Sequence, residues 1–143
     1  MNPGYVIDAS VALTWLLPGE DTPQTLQLRD RAVDNTLIEL FVPPTFWYEV
    51  ANVLWVAVRR SRISQHEAAE ALDSLLGFKF TVCSADPINC LTLSIAHNLA
   101  VYDSAYLCLA MEYQVTLWTV DNALVKAAKR LNIPVEPLPV TRV

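Results

Sequence analysis

Four carboxylates stand where an apolar chain has little reason to place them. Asp8 closes the run Tyr5-Val6-Ile7, and Ser10 follows two residues later. Asp121 comes just after Leu117-Trp118, with Thr119 two residues before it. In an extended chain, residues two apart point the same way, which sets the Thr119 hydroxyl beside the Asp121 carboxylate. From Phe46 to Val58 the only polar or charged side chains, ring tips aside, are Glu49 and Asn52. They are three apart and share one helix face. Asp103 lies between Ala100-Val101-Tyr102 and Tyr106-Leu107-Cys108. An isolated carboxylate in such surroundings is costly unless it is hydrogen-bonded, paired or bound to a cation. No run of lysine or arginine accompanies any of the four. A hard divalent cation, Mg2+ or Mn2+, is the simplest remedy, because oxygen-only ligands select such ions over Zn2+.

A purely structural account is available for each acid alone. Asp8, Asp103 and Asp121 each precede a helical pattern and could cap it. Glu49 falls in an early helical turn, where the helix dipole favours an acid. The elements that position these residues decide between the readings.

Strand and helix patterns alternate along the chain. Strands are expected at Tyr5–Asp8, Ile38–Val42, Lys79–Cys83, Val115–Thr119 and Pro134–Glu136. Helices are expected from Val11 to Leu17, opened by Ser10, and from Gln24 to Val33. Thr45 can cap a long helix reaching Arg60. Ser64 and Glu67 form a capping box for a helix ending at Leu76, with Gly77 as a left-handed stop. Asp86-Pro87 opens a helix ending near Asn98. The last two helices run from Asp103 to Tyr113 and from Asn122 to Leu131. This order indicates a single α/β domain over residues 1–143 with a parallel sheet of about five strands, covered on both faces. Ligands of such sheets bind outside the carboxyl ends of the strands. Asp8 and Asp121 fall at two of those ends.

Composition narrows the function classes. The chain has 143 residues, 53% hydrophobic and 17% charged, and a formal net charge of −5. That is too apolar for a disordered chain and too acidic for a broad basic nucleic-acid surface. Three scattered glycines, Gly4, Gly19 and Gly77, exclude phosphate-cradling glycine loops. Two histidines, His66 and His97, exclude a histidine-rich metal site. Cys83, Cys90 and Cys108 lack C-x-x-C spacing and read as buried small hydrophobes in a reducing compartment. No signal-like or membrane-spanning apolar run is present, so a cytoplasmic protein is expected.

With these residues in order, the chain resembles the PIN domain family, and among its members the small VapC-type toxin ribonucleases. The resemblance rests on Val6-Ile7-Asp8-Ala9-Ser10 and on Pro44 followed by Glu49, Asn52 and Leu54. It continues through Tyr102-Asp103-Ser104-Ala105-Tyr106 with Leu107 and Ala110, and ends on Leu117-Trp118-Thr119-Val120-Asp121. Trp118 and Asn122 depart from the small or charged residues expected beside that last motif. The resemblance implies a three-layer α/β/α sandwich. Its acidic tetrad would fall on Asp8, Glu49, Asp103 and Asp121, and its auxiliary polar positions on Ser10, Asn52 and Thr119.

The implied activity is metal-dependent hydrolysis of RNA phosphodiester bonds. Asp8, Asp103 and Asp121 would hold Mg2+ or Mn2+, directly or through water. Glu49 would join them or orient the attacking water. Ser10, Asn52 and Thr119 would fix the carboxylates. Arg59, Arg60 and Arg62, with Lys126, Lys129 and Arg130, are candidate phosphate contacts, against the plainer reading of solvated helix ends. The apolar bulk of Phe46, Trp47, Tyr48 and Trp55, together with Trp15, suits either core or a homodimer surface. A VapB-like antitoxin covering the site is implied as well. The alternative from another class is a PIN-like module that binds RNA or a partner without cutting. A haloacid dehalogenase-like phosphatase would need a second acid where Ser10 stands.

Overall fold

The computed structural model describes residues 4–34 and 38–138. Five strands form one parallel sheet: β1 (Gly4–Ile7), β2 (Glu39–Val42), β3 (Phe80–Val82), β4 (Thr116–Trp118) and β5 (Val135–Glu136). Their spatial order is β3-β2-β1-β4-β5. Among the described residues seven helices connect them: α1 (Ala9–Leu16), α2 (Pro23–Asp34), α3 (Phe46–Arg59), α4 (Gln65–Leu76), α5 (Pro87–His97), α6 (Val101–Tyr113) and α7 (Asn122–Arg130).

The strands are short and apolar because both faces of the sheet are covered. Successive strand residues feed opposite cores. Ile7, Leu40, Val42 and Trp118 pack toward α1, α3 and α4. Val6 and Leu117 pack toward α6 and α7. The result is the expected α/β/α sandwich.

The strand order fixes where a site can form. From β1 the chain moves outward to β2 and β3, then returns to the other side of β1 as β4. Reversals of this kind open a crevice at the carboxyl ends of the two flanking strands. Here those strands are β1 and β4. Their pairing continues one residue past β1, since the Asp8 amide donates to the Trp118 carbonyl at 2.9 Å. Thr119 is held likewise by its amide, which donates to the Glu136 carbonyl at 3.0 Å.

The capping box forms as expected, with Glu67 N–H donating to Ser64 Oγ and Ser64 N–H to Glu67 Oε1, both at 3.0 Å. Several local expectations are corrected. Gly77 is right-handed, with φ −75, and left-handed residues follow other helices instead, Ser61, Asn98, Gln114 and Asn132, at φ 56, 55, 53 and 57. Thr45 makes no side-chain cap for α3. Helix α1 starts at Ala9 rather than after Ser10. Helix α6 starts at Val101, which leaves Asp103 inside its first turn.

The aromatic bulk divides. Phe46 is fully buried, and Trp15 and Trp47 pack against the same core. Tyr48 and Trp55 are exposed, and the Arg59 guanidinium lies over the Trp55 ring at 4.7 Å. A larger apolar stripe lies elsewhere. Ile88, Leu91 and Ile95 of α5 are 74%, 54% and 76% exposed, and their spacing places them along one helix face. Cys90 and Cys108 are buried and unbridged, as expected, while Cys83 is half-buried.

Candidate active site

The four acids come from four elements. Asp8 sits at the β1–α1 junction, Glu49 and Asp103 in the first turns of α3 and α6, and Asp121 at the N-cap of α7. Each therefore stands at a helix N-terminus, where the dipole favours negative charge. Capping explains only one of them. Asp121 accepts from the Leu124 amide at 3.1 Å, whereas Asp8 makes no cap bond and Asp103 lies past the cap position.

Asp8 is the centre of a hydroxyl network. Its Oδ2 accepts from Ser10 Oγ at 2.5 Å and from Thr119 Oγ1 at 2.8 Å. Ser10 Oγ also receives the Val120 amide at 3.1 Å, and Thr119 Oγ1 receives the Asp121 amide at 3.0 Å. The two hydroxyls thus tie the end of β1 to the β4–α7 turn, and they fix the Asp8 carboxylate while doing so. Asp8 is only 5% exposed. Burial holds its carboxyl above the usual range. The Ser10 and Thr119 hydrogen bonds oppose that shift, and the charges of Asp121 and Asp103 add to it.

Glu49 has partners that the sequence did not disclose. Its Oε2 accepts from the Tyr106 hydroxyl at 3.0 Å, and its Oε1 from Thr45 Oγ1 at 3.2 Å. Asn52, one turn on, is exposed and is not among these partners. Burial pushes the Glu49 carboxyl up to about 6, against the two hydrogen bonds, with the charges of Asp8 and Asp103 adding to the rise. Asp103 is raised too, first by burial and then by Asp121. These mutual charge effects bring all four acids into one electrostatic cluster.

No base among the described residues is paired with it. Among the described residues the ion pairs are Arg29–Asp30, Arg62–Glu20 and His66–Glu70. Arg59 and the neighbouring Arg60 and Arg62 lie at the far end of α3. At a rise of 1.5 Å per residue, Arg59 is about 15 Å along the axis from Glu49. Lys126 is about 7 Å past Asp121 on the same measure, and Lys129 and Arg130 lie further. The structure brings none of these six cations into the acidic network.

Three of the raised carboxyls give the metal-free fold an unusual pH response. Their pKa values are higher folded than unfolded, so the folded chain binds more protons. The stability linked to Glu49 is then fully present below about 4.5 and is lost as the pH rises through about 6. Half-exposure screens the effect to about 1 kcal/mol for Glu49. Thermal melts of EDTA-treated protein are expected to show higher stability near pH 4.5 than near pH 7. Glu49→Gln should shrink that difference. A melt that is flat or rises over this range contradicts the assignment.

The donor set suits a hard cation: carboxylate oxygens only, no basic partner, and one nearly buried carboxylate held by fixed hydroxyls. No group of three His, Cys, Asp or Glu side chains among the described residues is arranged to hold an ion by itself. The case for a cation therefore rests on the chemistry of the donors, since Mg2+ commonly takes few protein oxygens and keeps several waters.

An α/β/α fold with this acidic crevice defines a class, and comparison with known proteins agrees. The PIN domain model matches residues 5–130. Ribonuclease VapC3 of Pyrobaculum aerophilum is 32% identical over 133 residues, covering 90% of this chain and 98% of that protein. The crystal structure of PAE2754 from Pyrobaculum aerophilum superposes with a TM-score of 0.73 at 23% identity, over 94% of this chain and 84% of that one. VapBC2 from Rickettsia felis, solved bound to a DNA fragment from their promoter, gives 0.61 at 12% identity, over 93% and 97%. The chain belongs to the PIN domain family and to its VapC-type branch.

Proposed function

We propose that this protein is a metal-dependent endoribonuclease, the toxin of a type II toxin–antitoxin pair, acting in the cytoplasm. The observation that carries the reading is the cluster itself. Four carboxylates from four elements gather at the carboxyl ends of β1 and β4, and those of Asp8, Glu49 and Asp103 are raised by burial and by neighbouring acids, with no protein cation among the described residues to offset them. The sequence similarity to a ribonuclease supports the substrate class.

Asp8, Asp103 and Asp121 would hold Mg2+ or Mn2+, with Glu49 beside them. A bound cation of this kind supplies Lewis acidity, lowering the pKa of a coordinated water and offsetting charge on the phosphoryl oxygens. The chain's own residues do the rest. Ser10 and Thr119 fix the rotamer of Asp8. With its carboxyl near 6, Glu49 is mostly ionised at neutral pH yet basic enough to accept a proton from the attacking water. Lys126, the basic side chain nearest to Asp121 along α7, is the candidate for phosphate contact. No covalent nucleophile is needed.

The test is cleavage of single-stranded RNA by wild type, Asp8→Asn and Asp103→Asn, with Mn2+ and with EDTA, beside Mn2+ calorimetry. Cleavage by wild type alone, and only with metal, is expected. Undiminished cleavage in EDTA overturns the proposal. RNA binding without cleavage under every metal condition identifies the silent module instead.

A VapB-like antitoxin is the expected partner, and the similar VapBC2 assembly supports that reading. A second copy of the chain is the proposed cover for Ile88, Leu91 and Ile95 on α5. Sedimentation should find a dimer at micromolar concentration that Ile88→Asp with Ile95→Asp converts to monomer. A strict wild-type monomer refutes the dimer.

A further inference from the structure

Tyr106 makes a contact that the acidic reading leaves unused. It is fully buried in α6, three residues past Asp103 and so on nearly the same helix face. Its hydroxyl donates to Glu49 Oε2 at 3.0 Å, and the backbone amide of Ala9, the residue after Asp8, lies near enough to favour charge on its oxygen. One oxygen therefore links α6, which also carries Asp103, to the first turn of α3. The other partner of Glu49, Thr45, belongs to the same local turn of α3 and gives no registration against the rest of the site.

The direction of the bond matters. Glu49 in its ionised form can only accept, so the phenol must give its proton to Glu49. Burial and the charges of Asp8 and Glu49 hold the phenol far above its ordinary range, which keeps it a donor at every relevant pH. Without this hydroxyl, Thr45 at the N-cap of α3 is the only remaining hydrogen-bond partner of the Glu49 side chain among the described residues. Glu49 would then share rotamers with solvent, as a half-exposed glutamate does.

We propose that Tyr106 is a positioning residue that locks the Glu49 carboxylate in register with Asp103 of helix α6. The role draws its chemical meaning from the nuclease reading above, but its geometry stands without a metal. Phenylalanine is the informative replacement, because it keeps the ring in the core and removes only the oxygen.

The experiment has two arms. In the first, glutamate-labelled, metal-free protein is examined by 13C NMR, with Glu49 assigned by the resonance missing in Glu49→Gln. Wild type should show one Glu49 rotamer and Tyr106→Phe an average of several. In the second, Mn2+ affinity is measured by calorimetry. Tyr106→Phe should bind at least fivefold more weakly, and Tyr106→Phe with Glu49→Gln no more weakly than Glu49→Gln alone. Ser64→Ala controls for stability, because it removes the α4 capping box, which touches none of the four acids, and should leave Mn2+ affinity unchanged. An unchanged Glu49 rotamer in Tyr106→Phe overturns the proposal, as does a double variant weakened by the product of the single effects. If wild type binds no Mn2+, the metal-dependent reading fails, and the rotamer arm still decides the role of Tyr106.

Discussion

Asp8→Asn is expected to lower RNA cleavage about a thousandfold or more while making the metal-free protein more stable. The two effects share one cause. Asp8 is the most deeply buried of the four acids, and its charge is opposed by burial and by its acidic neighbours. Asparagine keeps the shape and an oxygen acceptor for Ser10 and Thr119, and it discards the costly charge. The same charge holds the cation. Metal-ion stabilisation of a transition state amounts to several kcal/mol, and each 1.36 kcal/mol is tenfold in rate, so losing about 4 kcal/mol gives the stated loss. Single-turnover cleavage measures the first effect and thermal melting in EDTA the second. A variant that retains a tenth of the wild-type rate, or melts lower without metal, contradicts the assignment.

Thr119→Val should have the next largest effect, a loss of about 10- to 100-fold in cleavage or Mn2+ affinity, as for other groups that orient metal ligands. Thr119 is 1% exposed and its hydroxyl does two jobs. It donates to Asp8 Oδ2 at 2.8 Å and accepts from the Asp121 amide at 3.0 Å. Valine fills the same space, so the core is intact. Asp8 loses a donor and the Asp121 amide loses its acceptor. Thr119→Ser should restore most of the function, because the hydroxyl returns. Ser10→Ala offers a contrast. It removes the other donor to Asp8, but Ser10 is less buried and water can take its place, so a smaller loss is expected. A Thr119→Val protein with wild-type affinity and rate would show that the network is only structural.

Much of the fold was legible because its signals are local. The capping box at Ser64 and Glu67 formed, as did the Asp86 cap ahead of Pro87. The alternation of strands and helices carried the α/β class. The failures were local propensities overruled by the surrounding chain. Gly77 can adopt a left-handed stop, but the backbone instead closes a right-handed turn there, with the Gly77 amide donating to the Ser74 carbonyl at 3.2 Å. Thr45 is a good cap residue, but its hydroxyl goes to Glu49.

The four acids were legible for a different reason. A lone carboxylate in an apolar stretch is conspicuous because burying it carries a large energetic cost. Tyr106 carried a weaker signal of the same kind, a phenol in an apolar helix that needs a partner for its hydroxyl. Nothing local names that partner, because Glu49 is 57 residues away in the chain.

The sequence by itself determined which residues bear charge and which stretches become strands and helices. Only the tertiary structure decided who touches whom. Within each motif, Ser10 accompanies Asp8 and Thr119 accompanies Asp121. In the fold Thr119 reaches across to Asp8, and Ser10 receives the amide of Val120. Those crossings exist because β4 returns to the open side of β1 and pairs with it in parallel register, Ile7 against Trp118. Side-chain spacing along one strand is local, but the partner strand and its register are fixed by the burial of two cores at once, a property of the whole chain.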